Sequence, residues 1–213
     1  RALQEALSDL GEVRVFTAMR YWHPRCDATA LEVKGYAPDR IMLLPLYPQF
    51  STTTTKSSLV DWYGAARGVG LVAPRVTSVA LCCYATAEGF IDAQCELIAP
   101  LLSQAGARAP VRLLLSAHGL PERIVKRGDP YAWQVEQTAA CIVARLGIPD
   151  LDWRLTYQSR VGPMKWIGPA TDDEIRRAGG DGVALVVAPI AFVSEHSETL
   201  VELDVEYRHL AES

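Results

Sequence analysis

Val111-Arg112-Leu113-Leu114-Leu115-Ser116 is a short run of almost unbroken apolar residues, followed by a helix-patterned stretch over 131–146. An apolar run without alternation is the signature of a strand covered on both faces. Such strands belong to parallel sheets, and parallel neighbours need helical crossovers. The same pattern extends in both directions. Toward the N-terminus, residues 1–10 are expected to be helical, with Gly11 closing the helix, and Val13 to Ala18 is expected to be a strand. A helix near 26–35 precedes the apolar run Ile41-Met42-Leu43-Leu44-Pro45-Leu46. Residues 51–55 can cap a helix reaching about Arg67; Val72 to Val76 is expected as a short strand and 86–104 as a helix. Toward the C-terminus, Trp153 to Tyr157 and Val183 to Val187 are expected strands, and 171–178 and 195–211 expected helices. Alternation of strands with helices predicts an α/β fold whose parallel sheets are flanked by helices. Function then belongs in the loops beyond the carboxyl ends of the strands.

The chain has 213 residues, which at about 150 residues per domain suggests one domain or two small ones. Two stretches look alike: Ile41 to Pro45 leading to Phe50-Ser51, and Val183 to Pro189 leading to Phe192 and Ser194. Two related halves are therefore expected, 1–105 and 106–213, joined through Gln104 to Pro110. Hydrophobic residues make up 49% and charged residues 22%, so the chain is globular in composition. A net charge of −4 carries no electrostatic footprint for nucleic acid. No apolar run reaches the roughly 18 residues of a membrane-spanning helix, while peripheral membrane contact and self-association stay open. Five cysteines, an odd number without a CxxC, argue against a disulfide framework and for a reducing, cytoplasmic setting. The chain opens at Arg1 and stops at Ser213 without a helix stop signal, so a longer parent protein is expected.

His118, in Ser116-Ala117-His118-Gly119-Leu120-Pro121, falls at a strand's carboxyl end, where an α/β sheet presents ligands. Its imidazole suits proton transfer or metal ligation. On the last helix, Glu198, Glu202 and Glu206 recur every fourth residue, with Glu195 one turn earlier; as an α-helix they would form one acidic stripe between apolar arcs. An exposed acidic face is the plain explanation; a carboxylate track for a divalent cation is the functional one. His196 and His209 look structural or superficial. Aromatic residues crowd several strand ends: Tyr21, Tyr47, Phe50, Trp166 and Phe192. With Arg20 for a carboxylate, they suit a flat aromatic ligand. The chain contains no GxGxxG, Walker or G-x-S-x-G motif.

Four segments carry a family resemblance. They are Leu115-Ser116-Ala117-His118-Gly119-Leu120-Pro121 with Arg127-Gly128-Asp129-Pro130-Tyr131; Tyr157-Gln158-Ser159-Arg160-Val161-Gly162-Pro163-Met164 with Trp166-Ile167-Gly168-Pro169; Pro189 to Leu200; and Leu46-Tyr47-Pro48-Gln49-Phe50-Ser51. In this order and over nearly the whole chain, the sequence resembles ferrochelatases. The resemblance implies two Rossmann-like lobes with a cleft between them, and insertion of ferrous iron into protoporphyrin or a related porphyrin to form haem. It implies that His118 and Glu198 are the catalytic and iron-site residues, that Glu202 and Glu206 continue the metal line, and that Arg20, Tyr21, Tyr47, Trp166 and Phe192 line the porphyrin pocket. Fe(II) would be a substrate, no resident cofactor would be required, and no iron–sulfur centre can be assigned to this chain. The family's first strand, Gly-rich loop and apolar lip, and its closing strand, have no counterpart here. Competing expectations are a cobalt or nickel chelatase of another tetrapyrrole, which would be expected to offer more histidines, and a tetrapyrrole-binding protein without turnover.

Overall fold

The computed structural model describes residues 2–194 and 197–213. The chain divides into two compact units, the first formed by Arg1–Pro45 and Thr52–Cys82, the second by Leu46–Ser51 and Cys83–Ser213. Both units are α/β with parallel pairing, as the apolar runs predict.

In the first unit, helix α1 (Ala2–Ala6) leads through a short 3-10 turn to α2 (Cys26–Tyr36), β1 (Arg40–Leu43), α3 (Thr55–Val69) and β2 (Thr77–Ala80). β1 and β2 pair in parallel, Arg40 beside Thr77 through Leu43 beside Ala80. Cys26, Ala30 and Val33 recur at helical spacing on α2, and Trp62 and Ala66 on α3; with Leu71 and Val76 they form the unit's core.

Two expected strands differ. Val13 to Ala18 forms no strand ladder. There the Gln4 side chain takes the place of a neighbouring strand, donating from Nε2 to the Val13 carbonyl at 2.7 Å and accepting the Val15 N–H at 2.6 Å. Val72 to Val76 is a loop with a cis Ala73-Pro74 bond, and the strand begins at Thr77. Proline removes a ladder donor, so the run that contains it cannot pair centrally. Residues 51–54 do precede α3, but Thr54 caps it without a side-chain hydrogen bond.

The second unit is a three-stranded parallel sheet in the order β4-β3-β5, formed by Asp152–Gln158, Val111–His118 and Ala184–Pro189. Helices α4 (Glu88–Gly106), α5 (Glu122–Lys126), α6 (Tyr131–Leu146) and α7 (Thr171–Asp181) surround it. The central strand buries both faces. Leu113, Leu115 and Ala117 join Ile91, Ile98 and Leu102 of α4 and Val135, Ala139 and Ile142 of α6 in one core. On the opposite face Ser116 meets Thr171 at the start of α7. By the two-residue period of a strand, His118 continues this second face. At the other end of β3, Arg112 reaches Asp152 Oδ2 at 2.7 Å and Asp181 Oδ2 at 2.8 Å.

The boundary near residue 105 is drawn differently by the structure. Helix α4 packs on α6 and β5 and so belongs with the second unit. Residues 46–51 join that unit as well. Gln49 Nε2 donates to Thr138 Oγ1 at 2.9 Å and to the Ile190 carbonyl at 3.0 Å, and Ser51 Oγ donates to Asp129 Oδ2 at 3.0 Å.

The expected helix over 195–211 differs in its winding. Glu198–Tyr207 is a π-helix, followed by the α-helical turn α8, Arg208–Glu212. Glu195 and His196 lie outside the described residues.

Burial leaves several acidic groups hard to ionise. It pushes the Cys26 thiol up to about 11, helped by a hydrogen bond from the thiol to Asp61, and the Tyr84 hydroxyl up to about 12. Tyr131, Tyr157 and Tyr207 shift upward too, again chiefly through burial. Above about pH 9 the unfolded chain loses protons that the folded chain keeps, so stability falls as pH rises. The decline should continue through the raised values near 11 and 12. Urea midpoints measured at about pH 8 and pH 11 should show the lower value at the higher pH.

Candidate active site

The carboxyl ends of β3 and β4 place His118 beside Gln158 in register. Gly119 follows at once. A Cβ there would stand 3.0 Å from the Gln158 carbonyl oxygen, 3.2 Å from Arg160 Cγ and 3.3 Å from Trp166 Cε3. Only glycine lets the chain leave β3 this close to the end of β4, where the Gly119 N–H donates to the Gln158 carbonyl at 2.8 Å. Beneath this junction runs a buried polar chain. Ser116 Oγ donates to Gln158 Oε1 at 2.8 Å, and Thr171 Oγ1 lies 2.9 Å from both Ser116 Oγ and Thr156 Oγ1.

Glu198, in the first turn of the π-helix, brings Oε2 to 2.8 Å from His118 Nδ1. The two side chains are 38% and 31% exposed, so the pair is accessible from solvent yet partly shielded. An ionised carboxylate can only accept, so against it Nδ1 is the donor; in the neutral ring Nε2 is then the acceptor. Burial, with Tyr157 and Glu198 nearby, drives the Tyr131 hydroxyl well above its ordinary range; a hydrogen bond with the His118 backbone acts in the other direction.

Glu202 joins the same assembly. Its Oε1 accepts the Ser159 N–H at 2.7 Å and the Tyr207 hydroxyl at 2.9 Å, and its Oε2 accepts the Ser159 hydroxyl. Ser159 Oγ also lies 3.2 Å from Glu198 Oε2. Glu206, the third member of the expected track, is exposed and joins none of these bonds. The winding does not account for the separation, because residues four apart stay on one side of a π-helix, as Glu198 and Glu202 do at Ser159. Tyr207, five residues after Glu202, is the one that meets it. Among the described residues no group of three or more His, Cys, Asp or Glu side chains is arranged to hold a metal ion.

The expected aromatic residues are distributed over both units. Trp166 packs beside Gly119, and its indole Nε1 donates to the Val161 carbonyl at 3.1 Å. Tyr47 and Phe192 are half-buried parts of the second unit. Arg20 and Tyr21 belong to the first unit, where the guanidinium lies 4.9 Å from the Tyr21 ring, 3.1 Å from Ser57 Oγ and 3.8 Å from Asp61 Oδ1. His209 is exposed near the chain end. Sequence reasoning missed Ser159, Tyr207 and Tyr131. Ser159 follows a strand that the sequence did show, but nothing local marks it as the donor to a glutamate 43 residues away.

The ferrochelatase family model matches residues 1–213, the whole chain. The chain belongs to the ferrochelatase family. A protein named ferrochelatase from Caulobacter vibrioides (strain NA1000 / CB15N) is 54% identical over 215 residues, covering 100% of this chain and 60% of its own length. Another, from Phenylobacterium zucineum (strain HLK1), is 55% identical over 201 residues, covering 94% of the chain and 56% of its own length. A third, from Wolbachia sp. subsp. Drosophila simulans (strain wRi), is 49% identical over 195 residues, covering 92% and 61%. The chain thus spans 60% of the Caulobacter ferrochelatase's length. Among the described residues no helix is long and apolar enough to cross a membrane.

Proposed function

We propose that the protein containing this chain inserts ferrous iron into a porphyrin, protoporphyrin IX, to form haem. The observation that carries the reading is the 2.8 Å contact between His118 Nδ1 and Glu198 Oε2 at the carboxyl end of the central strand. Metallation of a free-base porphyrin releases two pyrrole protons as iron–nitrogen bonds form, so the site needs a base beside a group able to pass on a cation. With its Nδ1 proton held by Glu198, His118 offers Nε2 as the base in one defined tautomer, taking the two protons in turn and passing each to solvent from its partly exposed ring. Glu198 is the metal relay. Oxygen ligands hold Fe(II) and release it more readily than thiolates would.

The ring is planar until its lone pairs tilt toward the entering ion. A site that binds the bent ring better than the flat one lowers the barrier. Trp166, Tyr47 and Phe192 are the second unit's contacts for the macrocycle. Arg20 and Tyr21 keep the porphyrin-contact role that family membership suggests. Glu202 and Glu206 lie on the cation's route to Glu198. Iron enters as substrate and no resident cofactor is required. The odd cysteine count supports the cytoplasm as the compartment. Peripheral membrane attachment and a homo-oligomeric state are compatible with this reading.

Anaerobic mixing of the full-length protein with Fe(II) and protoporphyrin tests the proposal. Free-base fluorescence should decay as the haem absorption bands rise. Decay no faster than in protein-free buffer would overturn it.

A further inference from the structure

Ser159 stands at the end of β4 with a φ of 59°, a left-handed backbone that is uncommon for a residue bearing a Cβ. That conformation turns the N–H and the hydroxyl of one residue onto the same carboxylate. The N–H reaches Glu202 Oε1 at 2.7 Å and the hydroxyl reaches Glu202 Oε2. The same hydroxyl oxygen is 3.2 Å from Glu198 Oε2, which in turn is 2.8 Å from His118 Nδ1. One serine therefore lies against two carboxylates that would otherwise repel, its N–H on Glu202 and its single hydroxyl proton shared between Glu202 and Glu198. It does so from the residue next to Gln158, the register partner of His118. Tyr207 closes the other side of Glu202 at 2.9 Å.

We infer that Ser159 is a positioning residue: held in a left-handed turn, it pins Glu202 and steadies Glu198 against His118, and so sets how the site takes up its metal. The inference rests on the proposed roles of His118 and Glu198. Glu202, held by three donors, is the anchor of the π-helix at this turn as well as a point on the metal route. Hydrogen bonds to an ionised carboxylate are about twice as strong as neutral ones, so loss of the hydroxyl should be felt at both glutamates.

The test compares full-length parent, Ser159→Gly and Ser159→Ala. Glycine keeps the backbone N–H and accepts a positive φ without strain, so the hydroxyl is lost while the fold is preserved. Metallation is measured with Fe(II) varied at saturating protoporphyrin and with protoporphyrin varied at saturating Fe(II). The half-saturating Fe(II) concentration should rise about 5- to 20-fold in both variants. The half-saturating porphyrin concentration should stay within about twofold, and the glycine variant should remain folded at the assay temperature, because relief of the left-handed backbone offsets part of the lost hydrogen bonding. Parent-like Fe(II) dependence, or an equal rise for both substrates, would overturn the inference.

A parent that fails to metallate porphyrin would sink the proposed function, and the role of Ser159 would then be decided by the His118 tautomer. Imidazole nitrogen shifts are read at about pH 8.5, two units above an ordinary imidazole's pKa. The parent should carry its proton on Nδ1, and both variants should lose that preference. An unchanged tautomer in the variants would refute the positioning role.

Discussion

Replacing His118 by Ala in the full-length protein should lower the rate of iron insertion by about 10²- to 10⁴-fold, the usual worth of a positioned general base. Porphyrin binding should change by less than about twofold, because the imidazole accepts a proton and contributes little to holding the ring. The split follows from geometry: Glu198 faces Nδ1, so the base is a single nitrogen in one tautomer, and Ala leaves nothing in its place. Rapid-mixing fluorescence gives the insertion rate, and equilibrium quenching gives the porphyrin affinity. If the Ala variant metallated at the parent rate, His118 would not be the proton acceptor. If binding and rate fell together, its role would be in holding substrate.

The largest expected effect on stability is at Leu113. Its side chain is fully buried in the central strand between α4 and α6, and its neighbours Leu115 and Ala117 share that face. Leu113→Ala removes buried methyl groups and leaves a cavity that two helices and a sheet cannot easily close. The expected cost is about 2–5 kcal/mol, and urea denaturation monitored on the second unit would measure it. Leu97, exposed on α4, provides the control. Leu97→Ala should cost under about 0.5 kcal/mol, the usual size of a surface substitution. Equal losses at both positions would mean that α4 and α6 do not close over β3.

The parallel α/β architecture and His118 at a strand's end were both legible in the sequence. Continuous apolar runs such as 111–116 report burial on both faces, and burial on both faces requires helices above and below. The acidic character of the last helix was legible too. Each of these depends on local pattern: which side chains leave water, and at what period along the chain.

Tertiary structure decided the rest. The sequence cannot tell an α-helix from a π-helix over 198–207, because the two differ by one residue in hydrogen-bond spacing. In this segment Tyr207 meets Glu202, and Glu206 is exposed. Proline and a glutamine side chain decide where the first unit's strands form, through ladder bonds supplied or withheld. Residues 46–51 and α4 join the second unit because their polar and apolar partners lie there, more than 80 residues along the chain in the case of Gln49. Contacts across such separations leave no periodic trace, since nothing local in a serine's neighbourhood states which carboxylate it will meet.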